Sequence, residues 1–246
     1  MPATPLCRLL TSVVTLGTMA FAQEAKPIFD GRLSLKPSKL TAAEEDLMKS
    51  RIIPAARKAW RERQRETACV SGPDARAIDV ASGAFTRPGA SQRAILYGYC
   101  EFGHNFDLDG IAIVEDGKLV SHIIFEGASN NAIGALPDIN GDGLAEIVFA
   151  TGGTNMGETW GTITVIVLSG TEVTSLGRLN IYSDNCGAVE DNCKAEASRI
   201  SVKAGKAPAF FREKYVRKGD SGAWTKAGAL APAKPEDDET EYEVLK

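Results

Sequence analysis

The chain has 246 residues, 43% of them hydrophobic and 24% charged, which is enough for one substantial core. Its 28 Lys and Arg against 32 Asp and Glu give a formal net charge of -4, a balance that argues against nucleic acid as a partner. No stretch after the N-terminal segment reaches the roughly 18 consecutive apolar residues that a membrane span needs.

Residues 1–22 read as a secretory signal: Arg8 supplies a positive charge, Leu9 to Ala22 is mostly apolar, and Ala20-Phe21-Ala22 is a small-x-small cleavage site. Cys7 precedes the apolar stretch, which argues against a lipid-modified cysteine. The expected location is therefore periplasmic or extracellular. The cysteines that remain are Cys69, Cys100, Cys186 and Cys193, an even set that favours disulfides in an oxidising compartment. Three connectivities are open. Cys186 with Cys193 and Cys69 with Cys100 are the favoured pairs. Zinc is the weaker alternative, since no CxxC pair occurs and only His104 lies near Cys100.

Residues 23–40 show no period and read as an extended leader. The segment 41–68 reads as helical: Thr41 and Glu44 form a capping box, and Leu47, Met48, Ile52, Ala55, Ala56, Ala59 and Trp60 make an apolar stripe. Pro54 is expected to kink it. The basic run Arg57, Lys58, Arg61, Arg63, Arg65 reads as a solvated face. From 69 to 227 the pattern is β, with short apolar runs separated by polar turns, among them Asp116-Gly117, a type I′ hairpin signal. Strands without intervening helices predict antiparallel sheets. Residues 228–246, with Glu236, Asp237, Asp238, Glu239, Glu241 and Glu243, read as a disordered acidic tail.

The run Asp138-Ile139-Asn140-Gly141-Asp142-Gly143-Leu144-Ala145-Glu146 places oxygen-bearing groups at alternate positions of a tight loop. Oxygen-only donors suit a hard cation, and Ca2+ is the natural candidate. Phe149 stands where an EF-hand has its bidentate Glu. With the apolar residues that follow, Leu136 to Val148 resembles the calcium loop of the FG-GAP/VCBS-type repeat of integrin-alpha-like β-propellers. The resemblance implies that Asp138, Asn140, Asp142, the carbonyl of Leu144 and Glu146 bind calcium between two strands of a four-stranded blade. Asn105 to Ile111 reads as a degenerate echo, a structural turn. Units around 77–127, 130–185 and 197–227 are too few for a closed propeller. The expected fold is mainly β, with antiparallel four-stranded blade-like sheets arranged as a compact sandwich or incomplete propeller, and a short N-terminal helix.

The glycine-rich connection at 152–161 carries Asn155, Glu158 and Trp160, a candidate surface for an unknown protein or carbohydrate ligand. His122 is expected to be partly exposed on a strand. Glu101, His104, Asp107 and Asp109 cluster in sequence, a set that could hold a metal or place His104 as a base near neutral pH, against the plainer reading of a polar turn. The sequence reading is thus an exported, calcium-stabilised binding or structural module without catalytic activity. The alternative is a hydrolase-type enzyme with a site near Glu101, His104, Asp107 and Glu158.

Overall fold

The computed structural model describes residues 24–33, 36–65, 69, 75–101, 106–127, 129–189 and 192–245. The chain opens with strand β1 (Lys26–Asp30) and then forms a helical segment. Helix α1 (Ala42–Leu47) begins at the capping box: Thr41 accepts the Glu44 amide and the Glu44 carboxylate accepts the Thr41 amide. A π-helical turn (Met48–Ile52) leads into helix α2 (Ile53–Glu62). Pro54 has no N–H for the preceding turn, and the widened turn sits where an α-helical hydrogen bond would be lost.

Two antiparallel sheets follow. The first has the order β14-β5-β4-β3-β2, from β2 (Arg76–Gly83), β3 (Gln92–Glu101), β4 (Asp107–Glu115), β5 (Lys118–Gly127) and β14 (Glu243–Val244). The second runs β12-β11-β10-β9-β8-β7-β6 and also takes in β1 and β13. Its strands are β6 (Asn130–Leu136), β7 (Glu146–Asn155), β8 (Glu158–Ser169), β9 (Glu172–Asp184), β10 (Lys194–Lys203), β11 (Ala209–Lys218), β12 (Thr225–Lys226) and β13 (Ala231–Ala233). At the β4–β5 hairpin Asp116 and Gly117 both take positive φ, 49° and 71°.

Side-chain alternation sorts the core into three interfaces. Met48, Ile52, Ala56, Ala59 and Trp60 of the helical segment cover Ile95, Tyr97, Tyr99, Leu108 and Ile124 on the outer face of the first sheet. The inner face of that sheet, with Leu96, Ile111, Ile113, Ile123 and Phe125, packs on Ile147, Phe149, Ile166 and Leu168 of β7 and β8. The opposite face of β7 and β8, with Val148, Ala150, Ile163 and Val165, packs on Ile200, Val202 and Phe210 of β10 and β11.

The second sheet therefore folds back over itself. Strands β9 and β10 pair only between Tyr182–Asp184 and Ala195–Ala197. Beyond that they part, and β1 occupies the freed edge of β10, from Lys26 opposite Val202 to Asp30 opposite Arg199. Gly31 sits where the chain leaves this edge: a Cβ there would lie 2.2 Å from the Ile181 carbonyl oxygen, so no side chain fits.

Several expectations are corrected by this topology. Both sheets are open, neither is a four-stranded blade, and the layered arrangement replaces the incomplete propeller. The helix follows β1 instead of leading the fold. The residues read as a disordered acidic tail pair with the rest: β13 adds to β11, Glu236 exchanges backbone hydrogen bonds with Arg178, and β14 adds to β5. Tyr242 is the physical reason, since its ring packs on Phe125 and Phe149 at the end of the inter-sheet core. Arg63 also pairs with Glu243 across to the helix.

Replacing Tyr242 by Ala removes a largely buried aromatic ring from this core, and a loss of about 2–3 kcal/mol in folding stability is expected. Urea unfolding of the variant beside the parent reads this directly. A change below about 0.5 kcal/mol would mean that the C-terminal segment contributes little to the fold.

Candidate functional site

Strand β4 carries two aspartates, and its alternation decides where each carboxyl points. Asp107 and Asp109 lie on one face of the strand, two residues apart. Glu101 stands directly across from Asp107, and Gly98 directly across from Asp109. On the other flank Gly127 is opposite Asp107. Of these glycines, Gly127 is the one the space beside Asp109 requires. A Cβ on Gly127 would come within 2.6 Å of Asp109 Oδ2, and one on Gly98 would lie 3.5 Å from Asp109 Oδ1.

The connection from the first sheet to the second passes over this face. Ser129 donates its amide to Asp107 Oδ2 at 3.0 Å, and Asn130 donates its side-chain amide to Asp109 Oδ2 at 2.5 Å. Thr151 in turn donates to Asn130 Oδ1 at 2.7 Å, so a polar chain crosses between the sheets. A cleft of about 240 Å³ opens here, with Arg76, Glu101, Asp107, Ser129, Asn130 and Asn131 among the residues that line it. Asp109 lies beneath the cleft wall, behind Gly98 and Asn130.

Burial pushes the Asp109 carboxyl up to about 8, helped by the charge of Asp107 and opposed by the Asn130 hydrogen bond and Arg76. Asp109 is 0% exposed and its Oδ1 has no hydrogen-bond partner. Burial also raises Asp107, and the charge of Glu101 adds to this against the Ser129 amide and Arg76. The cleft thus holds two facing carboxyls, one of them biased toward its protonated form, over a third kept neutral at pH 7. The expectation of a module without catalytic equipment is corrected by this cluster. It holds the groups that acid–base chemistry requires.

Glu101 and Asp107 are the residues of the hydrolase alternative that the fold brings together. His104 lies outside the described residues. Glu158 does not join them: it pairs with Asn155 at the β7–β8 hairpin, about 13 Å along the strand beyond Thr151. Trp160, opposite Gly153, lines a groove of about 340 Å³ with Gly152, Gly161 and Tyr182, and this groove shares Asn131 with the carboxyl cleft. Asn155 and Glu158 are not among the residues lining it. Arg76, Ser129, Asn130 and Asn131 went unread in the sequence. The polar run Ser129-Asn130-Asn131 between two apolar strands was the available signal. The echo at Asn105 to Ile111 is corrected too, because Asp107 to Ile111 form strand and not turn.

His122 is buried, not partly exposed. Its Nε2 lies 2.6 Å from the Tyr97 hydroxyl on the helix side of the sheet, and burial lowers its pKa to about 4.

The acidic loop forms a second constellation. One oxygen each of Asp138, Asp142 and Glu146 lie within 4.8 Å of one another, so the loop can hold a metal ion. Asp138 accepts the amides of Gly141, Asp142 and Gly143, and Glu146 accepts those of Ile139 and Asn140. Gly141 and Gly143 take φ of 86° and 87°, the left-handed turn that wraps the loop around its carboxylates. Disulfides join Cys69 to Cys100 and Cys186 to Cys193. Asp220 lies beside the second, whose sulfurs are committed to each other.

No protein-family model, curated protein or solved structure matches the chain. With the open sheets, this overturns the FG-GAP/VCBS resemblance, which rested on the loop alone. Among the described residues no helix is long and apolar enough to cross a membrane.

Two buried groups give the protein opposed pH dependences. From about pH 4 to 8 the unfolded chain loses the Asp109 proton while the native state keeps it, so this group lowers stability as pH rises. His122 has the other sign: below about 6.5 the unfolded chain gains a proton that the native imidazole refuses until about 4. The two contributions cancel between about pH 4 and 6.5, and Asp109 alone then costs about 2 kcal/mol up to pH 8. In Asp109→Asn that loss should vanish, leaving a rise of about 3 kcal/mol between pH 4 and 6.5. Urea unfolding of both proteins across this range tests the assignment, and parallel pH profiles would refute it.

Proposed function

We propose that this protein is a hydrolase-type enzyme acting by acid–base chemistry in the cleft between Arg76 and Asn131. The observation that carries the reading is the cross-strand pair of Asp107 and Glu101, with Asp107 raised by burial and by its partner's charge. In this scheme Asp107 delivers a proton to the leaving group and Glu101 takes one from the attacking water. Arg76 supplies positive charge against the developing anion. Asp109 acts as a positioning residue: neutral and buried, it holds the Asn130 amide that forms the cleft wall.

Turnover should depend on Asp107 as the proton donor and Glu101 as the proton acceptor. Asp107→Asn and Glu101→Gln should each lower turnover by about 100-fold or more while the melting temperature stays near that of the parent. A panel of chromogenic glycosides, carboxylic esters and phosphate esters, assayed across pH, is the measurement. Failure of the parent on the whole panel, or full activity in both variants, would sink the proposal.

The acidic loop is assigned to Ca2+ within the same proposal, with Asp138, Asn140, Asp142, the Leu144 carbonyl and Glu146 as its oxygen donors. The oxygen-only donor set and the approach of three carboxylates support this choice. Calcium there would neutralise the carboxylates and stabilise the loop, by about 2.7 kcal/mol at a hundredfold excess over its Kd. Calorimetric titration of the metal-stripped protein should show about one equivalent, absent in Asp142→Ala. Magnesium or zinc binding in preference would reject the assignment. Export to the periplasm or the cell exterior completes the proposal, supported by the disulfides and by the sequence of residues 1–22, which lie outside the described residues.

A further inference from the structure

We propose that the depression between β9, β11 and the segment 227–236 is a binding site for a phosphoryl-bearing anion, held by Arg212, Lys214 and Lys234. The cavity has a volume of about 370 Å³, and Asn180 and Glu236 complete the polar part of its lining. It is remote from the carboxyl cleft in residue content, sharing no lining residue with it.

Alternation along β11 creates the charge imbalance. Positions 211, 213 and 215 face one way, and there Glu213 takes up both Arg199 and Lys226 and accepts the Tyr215 hydroxyl. Positions 210, 212 and 214 face the other way. The cross-strand neighbours of Arg212 are Ile200 and Ala231, and that of Lys214 is Ser198, none of them acidic. The face that holds Glu213 has its cations neutralised, whereas the directly paired positions of Arg212 and Lys214 carry no acid. Glu196 of β10 lies one same-face position further along, opposite Val216, and forms no ion pair with either cation among the described residues.

The C-terminal segment closes the third side. Ala227 donates its amide to the Lys214 carbonyl, and pairing resumes at Ala231–Ala233 against Phe210–Arg212. Residues 228–230 between these points leave the edge of β11 and form a rim. Lys234 follows directly and adds a third positive charge to the lining. Among the described residues no carboxylate forms an ion pair with Arg212, Lys214 or Lys234. Glu236, the one acid in the lining, has its Oε1 engaged by the Asn180 amide at 2.9 Å, and its backbone is fixed on Arg178.

Arg212 adds an independent observation: its Nε is buried and has no hydrogen-bond partner among the described residues. A guanidinium stays charged at any physiological pH, so a buried donor of this kind needs an oxyanion or water beside it. A phosphate group suits the planar fork of Arg with two ammonium groups around it. The volume is near the low end of small-molecule sites, about 300–1,000 Å³, and leaves room for a carrier of sugar size beyond the phosphate.

The test is calorimetric titration of the full mature chain at fixed ionic strength with inorganic phosphate, glucose 6-phosphate and glucose. Phosphate and glucose 6-phosphate should bind and glucose should not. Tighter binding of glucose 6-phosphate than of phosphate assigns the ligand to a phosphorylated small molecule, and equal binding assigns it to the free oxyanion. Arg212→Gln should weaken binding at least tenfold, as should Lys214→Ala combined with Lys234→Ala. Both lysines lie at the exposed surface, so the double variant keeps the test valid if Arg212→Gln fails to fold. Absence of binding up to about 10 mM phosphate or glucose 6-phosphate, or unchanged affinity in the double lysine variant, overturns the proposal.

Discussion

Strands β7 and β8 are apolar on both faces, and everything else in the structure is arranged around that constraint. Ile147 and Phe149 need a cover on one side, Val148 and Ala150 on the other, and the same holds for Ile166 with Leu168 against Ile163 with Val165. A single antiparallel sheet with one wet face cannot satisfy them. The first sheet supplies one cover and the folded-back strands β1, β10 and β11 supply the second. Each fully buried Ile, Val or Phe contributes about 1.5–3 kcal/mol relative to exposure, so either cover contributes several kcal/mol.

Stacking layers this way forces the chain to cross between them, and each crossing brings polar backbone into a dry region. The carboxylate of Asp79 answers one crossing: it accepts the amides of Ser38 at 2.6 Å and of Ile133 at 3.0 Å, tying the N-terminal segment and β6 to β2. Asp107 and Asp109 answer the next, where the chain passes from β5 to β6. Gly127 leaves room beside Asp109, where a Cβ would come within 2.6 Å of its Oδ2. The burial that raises Asp107 and Asp109 comes from the crossing that they hold.

The C-terminal segment shows why composition misleads at the end of a chain. Six acids between Glu236 and Glu243 describe a solvated tail, yet Tyr242 and Leu245 are spaced to reach two different cores. Arg63 and Asn180 meet Glu243 and Glu236 on the way. The same segment builds the rim over Arg212 and Lys214. A few apolar contacts outweigh repulsion among exposed carboxylates, which water screens.

Local rules determined a good deal by themselves: the capping box at Thr41, the helix stripe ending in Trp60, the Asp116-Gly117 hairpin and the antiparallel pairing of short apolar runs. Each depends on residues within one or two turns, or on adjacent strands. The acidic loop was equally legible as a set of oxygens, because its members span nine residues. Tertiary structure alone decided the layering, since an apolar strand does not name the surface that will cover it. It also separated Glu158 from Glu101 and Asp107 and buried His122. The strands carrying Arg76, Asp107 and Asn130 come together only when two sheets stack, and long-range burial, not sequence spacing, then sets which carboxyl keeps its proton.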